Sequence, residues 1–436
     1  MKKISLTIFT FMLASSQLFA QLNVSLHAID ASGQNGSNAI SRCYDRNRDL
    51  TAYYYNGKTY IDLVEILPQT IYRAEMPANI DVMDMYIIDD NVFFCGRDRQ
   101  QNKGIIGYLH IPDYYLSSVA VKYMEVNAAY VLTHIVVQKM SGSYRIAAIG
   151  QDKWPYPQQY FYNTLFVDCS DITTNSIIGP IYTVHEFNTY EKIYNLLLTD
   201  NYYVCFGYNV DPNINSICYR KAYRTNITLN SLFDSIHYFR RGDEAYSDIR
   251  STAMKKNDIA VTYFYMIGTV SRTRIKTIDI VHDNMFGAWE YILPEKMEPS
   301  HVVFLPTNRN LVIMQEFLWN GTYNTNFVQF NPYDFSEPRK VEYKPSQLFQ
   351  HVTVHDSKYY LASKGRSWFW KDGTLAPTDY PNQNCPKETP INISDTRPLD
   401  HLVVPDVMRL SFYWGSISTS NIIPVMSVLS IDCSNR

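Results

Sequence analysis

One short unit recurs along the chain and limits what it can fold into. The unit is an apolar strand, a polar turn with Asp or Asn, and a second apolar strand often closed by Gly. Two copies align residue by residue: Asp90-Asn91-Val92-Phe93-Phe94-Cys95-Gly96 and Asp200-Asn201-Tyr202-Tyr203-Val204-Cys205-Phe206-Gly207. Further copies begin at Asp49, Arg145, Asp258, Asn310 and Lys358. With Leu50, Val92, Arg145, Tyr202, Ile259, Leu311 and Tyr359 as anchors, the gaps are 42, 53, 57, 57, 52 and 48 residues, about 51.5 on average. A period of this length marks a chain built from stacked or radially arranged supersecondary units, none of which can bury its apolar faces alone.

Each anchor strand has companions. An apolar strand precedes it, as in Met85-Tyr86-Ile87-Ile88 or Val302-Val303-Phe304-Leu305. A third follows, as in Ile275 to Ile280 or Phe327 to Phe330, and then a more polar fourth, as in Tyr123 to Val126 or Val341 to Tyr343. Composition agrees: 36 Tyr and 21 Phe against 17 Gly favour pleated, half-buried surfaces. Sustained helical periodicity is hard to find after residue 20. In these features residues 22–436 resemble seven-bladed β-propellers. The resemblance implies an all-β fold of seven four-stranded antiparallel blades in one domain over residues 21–436. A pair of β-sandwiches would leave the seven anchors unexplained. The Gly-His…Trp-Asp and Ser-x-Asp-x-Gly-x-x-Trp blade signatures are absent; Ser363-Lys364-Gly365-Arg366-Ser367-Trp368 echoes the second without its Asp. No family chemistry can therefore be carried over. Leu22 to Asp30 resembles Val425 to Asp432, so both ends are expected in one blade, closing the ring. Residues 376–400, rich in Pro, Asn, Asp and Thr, are expected to wrap the last blade.

The first 20 residues read as an address. Met1-Lys2-Lys3 is positive, Ile4 to Leu13 is apolar, and Ser15, Ser16 and Ala20 are small. That order is a secretory signal peptide, cut after Ala20. Leu18-Phe19-Ala20-Gln21 resembles the signal-peptide ends common in Bacteroidota. No later run reaches the roughly 18 apolar residues of a membrane span. The expected location is periplasmic, cell-surface or extracellular. With 39 Lys+Arg against 42 Asp+Glu, the chain lacks the basic field of a nucleic-acid binder. Seven Cys suit an oxidising compartment without requiring it. Cys205 and Cys218 flank a turn-rich stretch centred on Asp211-Pro212, so a hairpin there would oppose them. A disulfide and two ordinary strand cysteines are both open readings.

Candidate chemistry is sparse. His351 and His355 would share a face on a helix and could chelate. Their β-branched, alternating segment reads instead as a strand, where they would sit ~13 Å apart. No metal or cofactor is expected. His282-Asp283 and His355-Asp356 read as solvated turns. No nucleophile elbow, phosphate-binding Gly loop or EF-hand loop occurs, and no catalytic residue is assigned. The loops say more. Gln151 to Tyr160 carries Trp154, Tyr156 and Tyr160, stiffened by prolines, and Leu318 to Tyr323 carries Trp319 and Tyr323. Arg97 to Lys103 is a polar third. Aromatic faces beside amides suit a sugar ring or a peptide, although such side chains also pack beneath their own loops. The expected function is non-catalytic binding of a glycan or a cell-envelope protein through one loop face. The alternatives are a polysaccharide hydrolase or lyase, with carboxylates converging on a central channel, and a structural subunit of an exported assembly.

Overall fold

The computed structural model describes residues 26–30, 39–65, 70–126, 130–152, 164–169, 181–186, 191–209, 211, 216–224, 235–240, 247–267, 270–282, 284–285, 291–292, 298–305, 311–319, 322–332, 339–343, 349–355, 358–363, 366–370, 387–389, 394–395, 400–405, 409–414, 417–428 and 430–433. Among these residues the strands form seven antiparallel sheets. In chain order the sheets open with Ala39–Cys43, Ile80–Ile88, Tyr130–Lys139, Glu191–Leu198, Ser247–Lys255, Glu298–Phe304 and Phe349–His355. Each opening strand lies against that of the next sheet, and Phe349–His355 lies against Ala39–Cys43, so the contacts run in a full circle. The arrangement is all-β and propeller-like. All seven anchor residues fall in second strands, from Arg48–Tyr55 in the first sheet to Lys358–Ser363 in the seventh.

The second strands show why the repeat was visible. Val92 and Phe94 join a core with Leu50, Ile61 and Leu63 of the first sheet, whereas Phe93 and Cys95 join Leu132, Ile135 and Ile146 of the third. Successive side chains point to opposite faces. A strand packed on both faces therefore reads as a continuous apolar run. The same division recurs further round, where Tyr203 and Cys205 pack with Val136 and Ile149 while Val204 and Phe206 pack with Ile259 and Val261.

The outer edges differ from expectation. The sheets are not four-stranded: six have five strands and the fifth has six. The added outermost strand comes each time from the C-terminal segment. Lys387–Thr389 pairs with the sixth sheet, Ser394–Asp395 with the fifth, Asp400–Pro405 with the fourth and Arg409–Trp414 with the third. Ile417–Ile422 then pairs with the second sheet, Val425–Val428 with the first and Ser430–Cys433 with the seventh. This belt visits the sheets in the reverse of chain order. The described parts of 376–400 thus pair with the sixth and fifth sheets and begin the strand on the fourth, not with the last. Leu26–Asp30 does meet a C-terminal strand in the seventh sheet, between Arg366–Trp370 and Ser430–Cys433. Val425–Val428, grouped with that strand from sequence, lies instead on the first sheet. Belt strands of two to six residues, outermost in their sheets, carry too little alternation to stand out as strands.

Candidate functional site

The opening strands share a local irregularity. Pairing with the second strand slips between Val82 and Asp84, Leu132 and His134, Ile193 and Asn195, Ile249 and Ser251, Pro299 and His301, and Phe349 and His351. Each slip is a β-bulge, which re-aims the side chains beside it. The residue after the bulge is polar in all six strands. Opposite three of these slips stand glycines: Gly96 faces Val82, Gly150 faces Leu132 and Gly207 faces Ile193. At Gly96 a Cβ would lie 1.8 Å from the Asp81 carbonyl oxygen, and at Gly150 it would lie 2.6 Å from that of Val131. The glycine that often closes the repeated unit is therefore what lets a bulged strand approach.

All six polar residues, with Arg42 of the first sheet, line an axial cavity of about 640 Å³ walled by the seven opening strands. Three of them hook onto the neighbouring sheet. Asp84 Oδ2 accepts from Ile135 N at 3.1 Å, Asn195 Nδ2 donates to Thr252 Oγ1 at 2.5 Å, and Ser251 Oγ accepts from Val302 N at 3.1 Å. Each partner is the residue that follows the next sheet's own polar position. These bonds lock the opening strands together.

The histidines do something else. Arg42 is the hub: Nε donates to the Met85 carbonyl at 2.8 Å, Nη2 to Asp84 Oδ1 at 2.5 Å, and Nη1 to His351 Nε2 at 2.6 Å. His134 Nδ1 stands 3.6 Å from Asp84 Oδ2, and the His301 and His351 ring centres are 4.0 Å apart. The cavity is therefore lopsided. The sixth, seventh, first, second and third sheets contribute His301, His351, Arg42, Asp84 and His134, while the fourth and fifth contribute Asn195, Ser251 and Thr252. Burial works to raise the Asp84 pKa, but the Arg42 charge and the bonds from His134 and Ile135 hold it below the usual carboxylate value. Burial, then the Arg42 charge, pushes His301 down to about 3. Burial, then His301 and Arg42, pushes His351 well down. At neutral pH the wall holds one ion pair and two uncharged imidazoles beside it.

This geometry limits the chemistry on offer. Asp84 is the sole carboxylate among the described residues of the wall, and it is already paired. Glycoside hydrolysis by the usual pair of carboxylates would need a second. Among the described residues no group of three or more His, Cys, Asp or Glu is assembled to hold a metal.

None of the aromatic candidates from sequence is among the described residues of the cavity wall. Trp154, Tyr156 and Tyr160 lie outside the described residues. Trp319 pairs with Thr322, and Leu318 with Tyr323, so these residues end the second and third strands of the sixth sheet. The polar Arg97 to Lys103 loop is tied down: Arg97 bonds Asp81 at 2.6 Å, Arg99 bonds the Tyr54 hydroxyl at 2.6 Å, and Asp98 accepts from the Gln100 and Gln101 amides. Cys205 faces Arg220 and Cys218 faces Gly207, so the two are diagonal and not opposed. Diagonal positions lie about 7–8 Å apart, beyond the usual Cα separation of a disulfide, and the structure keeps two separate buried thiols. His351 and His355 do lie on one strand, as expected. Sequence reasoning missed that a bulge carries His351 into the cavity wall.

No protein-family model matches the chain, and no curated protein matches it in sequence. Among solved structures it is similar to the Dos1 propeller, with 9% identity, 80% of this chain and 94% of that one covered, and a TM-score of 0.37. It is also similar to the polysaccharide lyase Uly1, with 11% identity, 76% and 88% covered, and a TM-score of 0.36. Among the described residues no helix is long and apolar enough to cross a membrane.

Proposed function

We propose that the chain is an exported β-propeller that binds a glycan without transforming it. In this reading the seven sheets are the blades of one closed ring, residues 1–20 are a signal peptide cut after Ala20, and residues 21–436 are one domain. The observation that carries the reading is the axial wall: a cavity of saccharide size, lined by hydrogen-bonding side chains at one level, whose single described carboxylate is already engaged by Arg42. Trp154, Tyr156, Tyr160, Trp319 and Tyr323 are the aromatic faces that would stack on sugar rings at the loops. A cell-envelope protein is the other ligand such a loop face would accept.

One observation favours a second reading. Arginine and three histidines converge in the same cavity, which is the clustering a polysaccharide-cleaving propeller would need. Purified residues 21–436 and a polysaccharide panel separate the two. Tryptophan fluorescence and released reducing or unsaturated ends are followed together. A fluorescence change without product, lost in Trp154→Ala, supports binding. Product formation would overturn it and point to the histidine side of the cavity. Silence in both would leave a protein partner, sought next by pull-down from envelope extracts.

A further inference from the structure

Two aligned copies of one turn are put to different uses. Asp90-Asn91 lies where the first strand of the second sheet turns into its second, and Asp200-Asn201 lies at the same place in the fourth. In the second sheet both side chains are taken up by hydroxyls of the protein's own tyrosines. Asp90 Oδ1 accepts from the Tyr44 hydroxyl. Asn91 Oδ1 accepts from that of Tyr108 at 2.8 Å, and Asn91 Nδ2 donates to that of Tyr144 at 2.9 Å.

In the fourth sheet two of those hydroxyls have no counterpart. Arg42 pairs with the anchor Leu50, and Gln138 with the anchor Arg145. Two positions further on, Tyr44 in the first sheet therefore corresponds to Met140 in the third. Tyr108 pairs with Phe93, and its counterpart Ala222 pairs with Tyr203. Asp200 and Asn201 are exposed, and among the described residues their side chains engage no hydrogen bond or ion pair.

These side chains line a crevice of about 340 Å³ instead, together with Gln138, Tyr202, Tyr223 and Arg224. Tyr202 and Tyr223 stand where the second sheet has Val92 and Leu109. Their rings meet at 4.6 Å between centres, so buried Tyr202 supports Tyr223, which is 52% exposed. The frame is tied in place before any ligand arrives, which lowers the cost of binding. Thr199 Oγ1 accepts from Tyr202 N at 2.9 Å, and Arg224 Nη1 donates to the Thr199 and Asp200 carbonyls at 3.0 and 3.1 Å. Gln138 Oε1 accepts from the Tyr203 hydroxyl at 2.8 Å, which leaves the Gln138 amide nitrogen as a donor.

We infer that this crevice binds a neutral saccharide unit. Its hydroxyls take the places on Asp200 and Asn201 that tyrosine hydroxyls take on Asp90 and Asn91, and its ring lies against Tyr223. An aromatic face beside a carboxylate and two amides provides for both kinds of contact. The Asp200 charge disfavours an acidic sugar. The inference rests on the glycan reading for the class of ligand, but its site shares no lining residue with the axial cavity.

Calorimetry on residues 21–436 tests it with cellohexaose, mannohexaose, xylohexaose and laminarihexaose. At least one is expected to bind. Asp200→Ala removes a charged acceptor at an exposed position and should weaken that binding about tenfold. Tyr223→Ala should weaken it by a similar factor, and Tyr223→Phe, which keeps the ring, should restore it. Binding unchanged in either alanine variant would overturn the inference. If that binding were lost in Trp154→Ala instead, the glycan reading would stand without this site. Binding of none of the four would also overturn the inference, while the glycan reading would still be decided by the wider polysaccharide panel.

Discussion

The two ends of each sheet are made in opposite ways. The opening strands come in chain order and sit among side chains on both faces, and six of the seven carry a bulge with one polar residue after it. The belt strands come in reverse order, and their described stretch over 417–427 stands largely in solvent. Of residues 417–427 only Ile422 is buried, while Ile423, Val425 and Met426 are 68%, 66% and 63% exposed. Both ends use the same antiparallel ladder. Around the cavity, packing and side-chain hooks decide which strand goes where; at the rim, backbone pairing does. From Leu410 to Ile431 the belt has no charged side chain at all, whereas the cavity wall concentrates Arg42, Asp84 and three histidines.

That contrast can be broken most severely from the outside. Deleting residues 387–436 strips the outermost strand from every sheet and bares new edges, which recruit other chains. The expected outcome is loss of soluble monomer on size exclusion. A shortened chain that stays monomeric and melts within a few degrees of the full one would make the belt ornamental. The next largest effect lies at the cavity. Asp84→Ala strands the Arg42 charge and orphans Ile135 N, and should cost about 3–5 kcal/mol in urea unfolding. A cost below about 1 kcal/mol would mean the ion pair does not organise the wall.

Asp49 sharpens the comparison through pH. Burial raises its pKa to about 7 despite the hydroxyls of Ser41 and Thr51. The folded protein thus holds this proton more tightly than the unfolded chain, whose ordinary value is 3.8. Stability from this group is complete below that value, falls as pH rises towards 7 and is flat above. Asp49→Asn should lose that slope and gain about 2 kcal/mol at pH 8, read from melting curves between pH 4 and 8. A slope that persists in the variant would assign it to another group. The smallest effect is expected at the rim, where Val425→Lys should change stability by less than about 0.5 kcal/mol. A large loss there would show that the belt depends on its side chains after all.

What could be read from sequence follows the same division. The anchors were visible because strands buried on both faces are apolar throughout, and all seven fall in second strands. The belt was not, because Ser394–Asp395 is too short, and Val425–Val428 too short and too exposed, to show a period. The cavity ring was hidden for a subtler reason. A lone Asp84 in Ile80–Ile88, or a lone His134 in Tyr130–Lys139, looks like a blemish in an apolar strand until the bulge before it is known. A signal was present in the glycines: Gly96, Gly150 and Gly207 mark the facing bulges, and the polar residue follows two positions after the one each glycine faces. The aromatic loops drew attention because their composition is conspicuous, whereas the cavity is assembled from residues about fifty positions apart.

The belt also sets a timetable. Ribosomes deliver the first sheet early, yet its outermost strand is Val425–Val428, paired with Thr70–Glu75. The sixth sheet waits far less, since Thr389 pairs with Lys340. The earliest-made sheets therefore stay unfinished longest, and such distant pairings are the slow ones to close. A nascent chain would carry bare-edged sheets through most of its synthesis, in need of an escort, until one segment sealed them in sequence like a drawstring.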